Sequence, residues 1–115
     1  MHGTHLKRVS ALAVVIGIFL ATLFAAPSMA QGPTVDIRGT TFSTYHFHPR
    51  KVKVVPGTVV HWSWHSNAPH NVTFTKLGKQ SETGTDVTYR LRFNNPGTYR
   101  YLCTVHGFTG VVVVA

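Results

Sequence analysis

The sequence predicts an all-β domain, an antiparallel β-sandwich of about seven short strands behind an N-terminal export segment. Three observations predict it. Residues 31–115 show no sustained 3.6-residue apolar period, which argues against a helical fold. Val87, Tyr89, Leu91 and Phe93 alternate with Thr88, Arg90 and Arg92, the period of a strand with one wet face. Turn formers recur at short intervals, Pro56-Gly57 and Asn94-Asn95-Pro96-Gly97 being the strongest.

Taken in order, residues 1–30 read as a signal peptide. Lys7 and Arg8 give a positive start, Val9–Ala26 is uncharged and mostly apolar, and Pro27-Ser28-Met29-Ala30 offers small residues for cleavage before Gln31. The competing reading is an uncleaved membrane anchor, since the apolar run is near the lower limit for spanning a bilayer. On either reading the rest of the chain works outside the cytoplasm, in the periplasm or its equivalent.

Residues 31–115 then form one domain. Thr34–Arg38, Lys51–Val55, Val59–Trp64, His70–Thr75, Val87–Phe93, Thr98–Cys103 and Gly110–Ala115 read as strands. Ser66-Asn67-Ala68-Pro69 and Leu77–Thr85 read as loops. No internal repeat or low-complexity segment interrupts them.

A domain this small has a modest core and often relies on a disulfide or a metal. Cys103 is the only cysteine, so an internal disulfide is excluded. Residues 31–115 carry nine Lys/Arg against Asp36, Glu82 and Asp86, a formal charge of +6. In an exported protein this favours a partner with an acidic surface, or anionic lipid, rather than nucleic acid.

The chemistry-bearing constellation is His70, Cys103 and His106. Cys103 ends a predicted strand, His106 follows across a tight loop, and His70 lies after a loop at the same end of the sandwich. Two imidazoles and one thiolate are the equatorial donors of a type 1 copper site, and the soft thiolate favours copper over zinc. The expected cofactor is one copper per chain, alternating between Cu(I) and Cu(II). No catalytic triad or spaced carboxylate pair points to an enzyme.

With these residues in view, the chain resembles the cupredoxins, or blue copper proteins, nearest their plastocyanin and amicyanin branch. The matching segments are Phe47-His48-Pro49, Val55-Pro56-Gly57-Thr58, Trp62, Pro69-His70-Asn71-Val72, Asn95-Pro96-Gly97-Thr98-Tyr99 and Tyr101-Leu102-Cys103-Thr104-Val105-His106. They run in family order along nearly all of residues 31–115. The resemblance implies a Greek-key sandwich, His70, Cys103 and His106 as copper ligands, and Asn71 as the residue that braces the cysteine loop.

The chain departs from the family pattern in one respect that bears on the metal. The usual axial methionine is missing: Met1 and Met29, the only methionines, lie in the export segment. Depending on alignment, Thr109, Phe108 or Val111 takes the axial place, and of these Phe108 and Val111 cannot ligate. A water, a backbone carbonyl or another histidine is the remaining option. His46, His48, His61 and His65 are unusual for so small a domain. His65 is a candidate neighbour of the copper end, and His46 and His48, on one face around Phe47, are candidates for a second metal site. His61 is expected to face away from the core. Trp64 stands where the family commonly has asparagine, and the stretch from His70 to Cys103 is short.

The function expected is a monomeric one-electron carrier whose electrons pass through the edge of His106. Ala68, Pro69, Gly107 and Phe108 would form the apolar docking patch for a redox partner. The alternative is a periplasmic copper buffer or chaperone that uses the same site plus surface histidines.

Overall fold

The computed structural model describes residues 31–115; residues 1–30, expected to be a signal peptide, and with them both methionines, lie outside the described residues. Nine strands follow in order: β1 Gln31–Arg38, β2 His46–His48, β3 Lys51–Val54, β4 Thr58–His70, β5 Thr73–Phe74, β6 Lys79–Gln80, β7 Gly84–Phe93, β8 Gly97–Leu102 and β9 Thr109–Val114. A single 3₁₀ turn, Thr75–Leu77, closes on Gly78, whose φ of 66° suits a residue without a Cβ. Among the described residues no helix is long and apolar enough to cross a membrane.

The expected sandwich is present. One sheet runs β2-β1-β4-β7 and the other β3-β9-β8-β5-β6. Both are mixed: β1 lies parallel to β4 and β3 parallel to β9, while the remaining pairs are antiparallel. Two short segments, β2 of three residues and β6 of two, make nine strands where about seven are expected.

Alternation decides which residues face inward. Val60, Trp62 and Trp64 of β4 are buried, while His61 is only half-buried and Ser63 and His65 are exposed. Val35 and Ile37, Val87 and Phe93, and Val112 and Val114 add the same pattern from their strands. At the centre Trp62, Phe74 and Tyr101 lie with ring centroids within 6 Å of one another, Trp62 meeting the other two edge-on. A Cβ on Gly110 would lie 2.3 Å from the Tyr101 ring, so only glycine lets β9 lie flat against it. Burial pushes the Tyr101 hydroxyl up to about 12, slightly opposed by the nearby Trp62 indole. Among the described residues, neither the Tyr101 hydroxyl nor the Trp62 indole nitrogen has a hydrogen-bond partner at standard geometry.

Three boundaries differ from the sequence reading. Ser66–Pro69 is not a free loop but the irregular end of β4, where the register with β7 shifts between His65 and His70. His70 therefore closes β4, opposite Gly84, instead of opening the next strand. Leu77–Thr85 is not all loop, because Lys79–Gln80 pairs with β5 and Gly84 begins β7. Local polarity hid both pairings, which depend on partners far away in sequence.

Candidate metal centre

Three different elements bring the donors together. His70 comes from the end of β4, Cys103 from just beyond β8, and His106 from the turn before β9. That turn is closed by Cys103 N–H donating to Phe108 O at 3.0 Å and Gly107 N–H donating to Cys103 O at 2.7 Å. Gly107 has φ 84°, the left-handed conformation that reverses the chain between His106 and Phe108.

The ligand atoms of His70, Cys103 and His106 all lie within 4.8 Å of one another, so the three are positioned to hold a metal ion. The two Nδ1 atoms are 3.1 Å apart, and Cys103 Sγ is 3.9 Å from His70 Nδ1. His70 and Cys103 are fully buried and His106 half-buried. Burial, reinforced by His106, holds the His70 imidazole down at a pKa of about 4. A neutral imidazole with a lone pair aimed at a second imidazole and a thiol is a donor set for a soft or borderline cation.

The surroundings fix these donors. Ser66 Oγ lies 2.9 Å from His70 Nε2, and it also accepts Ala68 N–H at 3.4 Å. The tautomer that donates Nε2–H to Ser66 leaves Nδ1 free for a metal. Asn71, also buried, ties three segments together. Its Nδ2 donates to Thr83 Oγ1 at 2.9 Å and Thr104 Oγ1 at 2.7 Å. Its Oδ1 accepts Thr104 N–H at 3.0 Å and the Thr73 hydroxyl at 2.9 Å. The residue after Cys103 is thus hydrogen-bonded, by main chain and side chain, to the residue after His70.

Aromatic rings wall the donors. Phe108 lies 5.5 Å from the His70 ring and 4.6 Å from Phe47. Tyr45 lies 4.6 Å from His70 and 4.8 Å from His106, with its hydroxyl donating to Asn67 Oδ1 at 2.9 Å. The exposed Phe42 meets the His106 ring edge-on at 5.5 Å. Sequence reasoning missed Tyr45, Phe42 and Ser66. A signal for Tyr45 existed, because it alternates with buried Phe47 across exposed His46.

The other candidates fall elsewhere. Thr109 is exposed and its hydroxyl accepts from Arg50 at 3.0 Å. Val111 sits in β9 between Lys51 and Arg100. His65, expected near the copper end, is exposed and lies 3.7 Å from Asp86 across the β4–β7 pair. His65 is exposed while His70 is fully buried, so the two imidazoles stand in different surroundings. His61 lies beside Thr34 and Arg90. His46 and His48 flank buried Phe47 on the outer face of β2. Trp64 does point inward, and its indole N–H donates to Gly84 O at 2.9 Å.

Comparison with known proteins agrees with this geometry. The family model for the cupredoxin-like domain matches residues 12–114. Amicyanin-alpha of Methylorubrum extorquens is 33% identical over 93% of this chain and 98% of its own. Plastocyanin of Prochlorothrix hollandica is 26% identical over 92% of this chain and 89% of its own. An oxidised amicyanin variant superposes with a TM-score of 0.62 at 34% identity, covering 80% of this chain and 90% of that one. A purple cupredoxin from Nitrosopumilus maritimus, 21% identical, covers 73% of this chain and all of its own with a TM-score of 0.63, a likeness of fold. On the family match and the amicyanin relationship, this chain belongs to the cupredoxins.

Proposed function

We propose that this chain is an exported type 1 copper protein that carries single electrons between partner proteins, with His70, Cys103 and His106 as the metal ligands. The observation that carries the reading is the convergence of two imidazole Nδ1 atoms and one thiol sulfur from three separate elements. Copper bound there supplies the Cu(II)/Cu(I) couple.

The chain's own residues do the rest. Ser66 orients His70, and Asn71 holds the Cys103 turn against the end of β4. Tyr45 and Phe108 keep water from the ligands. Holding the donors in one arrangement for both oxidation states keeps reorganisation small. His106, half-buried, is the path to the surface; exposed Phe42 lies on its flank, exposed Val105 and Gly107 lie beside it in the chain, and exposed Pro69 precedes His70. A small apolar patch of that kind suits brief encounters, and the +6 charge of residues 31–115 steers an acidic partner at low salt.

The axial position carries no methionine. The Thr109 hydroxyl accepts from Arg50 and the Phe108 ring packs on His70 and His106, which supports a reading in which Phe108 stands where the family has its methionine. Copper held by His70, Cys103 and His106 without a thioether donor would have a stronger bond to the thiolate and a higher reduction potential. The deciding experiment is the absorption and paramagnetic resonance spectrum of the copper-loaded protein with its potential. An intense visible thiolate band, a narrow copper hyperfine splitting and a potential that drops in Phe108→Met are the expected results. A loaded protein lacking that band sinks the carrier reading, and an unchanged potential in Phe108→Met sinks the axial one.

A second reading, a copper buffer, is favoured by the exposed His46–His48 pair. A reversible one-electron couple at a single site decides for the carrier.

A further inference from the structure

We propose that His46 and His48, joined by the carboxylate of Asp36, form a second metal site on the outer face of the sandwich, for a divalent cation of the zinc or copper(II) class. The pleat of β2 buries Phe47 and turns both imidazoles to the same side, with ring centroids 6.3 Å apart.

The His46 ring is already set for coordination. Its Nδ1 lies 2.8 Å from Thr44 O, and a carbonyl only accepts, so Nδ1 carries the proton. The neutral ring then holds its lone pair on Nε2, away from that anchor. Imidazoles that bind metals are held in this way, donating the second ring nitrogen to a backbone carbonyl.

The third donor comes from the neighbouring strand. In the β1–β2 register Asp36 faces His48 directly and Arg38 faces His46. Side chains opposed in an antiparallel pair share a face, with Cβ atoms about 4.5–5.5 Å apart. One Asp36 oxygen accepts Ile37 N–H at 2.7 Å, and the other lies 3.6 Å from Arg38 Nε. That ion pair is half-exposed and weak, so a cation displaces Arg38 readily.

Metal–imidazole bonds of about 2.0–2.1 Å require the two ring nitrogens to come within roughly 4 Å. Rotation about the side-chain bonds of His48 supplies the movement, since none of its ring nitrogens is hydrogen-bonded among the described residues. Two nitrogens and one carboxylate oxygen, open to water, suit zinc or copper(II) rather than the thiolate-bound couple. The site is exchangeable by construction, in contrast to the buried one. It also stands on the chain segment that walls the buried donors, because Tyr45 precedes His46 and Phe47 packs on Phe108.

The test uses the untagged protein of residues 31–115, first loaded with one copper, then titrated with zinc chloride in a calorimeter. One further equivalent is expected to bind, and His46→Ala and His48→Ala each weaken it at least tenfold. His61→Ala and His65→Ala leave it unchanged. Copper(II) added in place of zinc gives a second paramagnetic signal with a wide hyperfine splitting that disappears in the His46/His48 double variant. Absence of a second equivalent, or its survival in the double variant, overturns the proposal. Asp36→Ala weakens binding by a smaller factor than either histidine change; unchanged affinity there removes the carboxylate from the site. Zinc titration of Cys103→Ser, which lacks the thiolate, keeps the result separate from the electron-carrier reading.

Discussion

His70 with His106, and His46 with His48, are two histidine pairs standing on either side of one residue, Tyr45, and almost everything else about them differs. The first pair is separated by 36 positions and closed by the fold; the second by two positions and closed by the strand pleat alone. The first has rings 4.8 Å apart, one of them fully buried and held by Ser66, with Asn71 and Tyr45 bracing the surroundings. The second is exposed, its rings are 6.3 Å apart, and a single carbonyl orients it. Residue type therefore says little about which histidines hold a resident metal. The number of independent elements that converge on them says much more, because only a packed site can impose a geometry on its ion.

The largest break in that comparison is chemical. Cys103→Ser removes the one sulfur in the domain, and the visible thiolate band is expected to vanish from the copper-loaded protein. His46→Ala and His48→Ala leave that band at full intensity. A band that persists in Cys103→Ser would not be a thiolate band and would remove Cys103 from the chromophore, and one that fades in the surface variants would tie His46 and His48 to the buried site.

A change next to the buried pair comes second. Asn71→Ala removes the partner of Thr73, Thr83 and both the main chain and side chain of Thr104. Asn71 is itself buried, while Thr83 and Thr104 are exposed and can turn to water, so a loss of about 2 kcal/mol is expected in denaturant unfolding of the metal-free protein. The matching change on the surface, Thr44→Ala, keeps the carbonyl that orients His46 and is expected to stay within about 1 kcal/mol. Equal losses in the two variants would mean that Asn71 does not tie the Cys103 turn to β4.

This contrast also explains what the sequence made legible. The strands β7 and β8 and the inward face of β4 follow from alternation, which is a local property. Cys103 and His106 were legible because three residues of spacing place both at one end of the sandwich, and His70 because a proline-containing segment precedes it. The parallel pairing of β1 with β4 and of β3 with β9 was not, because nothing in a strand's own composition names its neighbour. His65 was misplaced for a related reason. The register shift after it depends on how β4 runs against β7, and that pairing turns His65 toward Asp86. Ser66 escaped notice because a serine in a polar stretch carries no mark until the fold brings it to His70, whereas the alternation of Tyr45 with Phe47 marks it as inward-facing without saying which residues it covers.

Tyr45 offers the finest probe of the boundary between the two pairs. Its ring covers His70 and His106, while its hydroxyl reaches away, donating to Asn67 Oδ1 at 2.9 Å with Thr40 O at 3.3 Å. Asn67 in turn donates to Thr40 O at 3.0 Å, so the hydroxyl is one link in a small network joining the segment before β2 to the end of β4. Tyr45→Phe keeps the ring and deletes only that link. A loss of about 1 kcal/mol in the metal-free protein is expected, with the thiolate band unmoved. Tyr45→Ala deletes the wall itself, opening the buried pair to water while leaving Thr44 O in place for His46. The spectrum should then change at the first site and the zinc affinity hold at the second, since the cover belongs to one pair and the carbonyl anchor to the other.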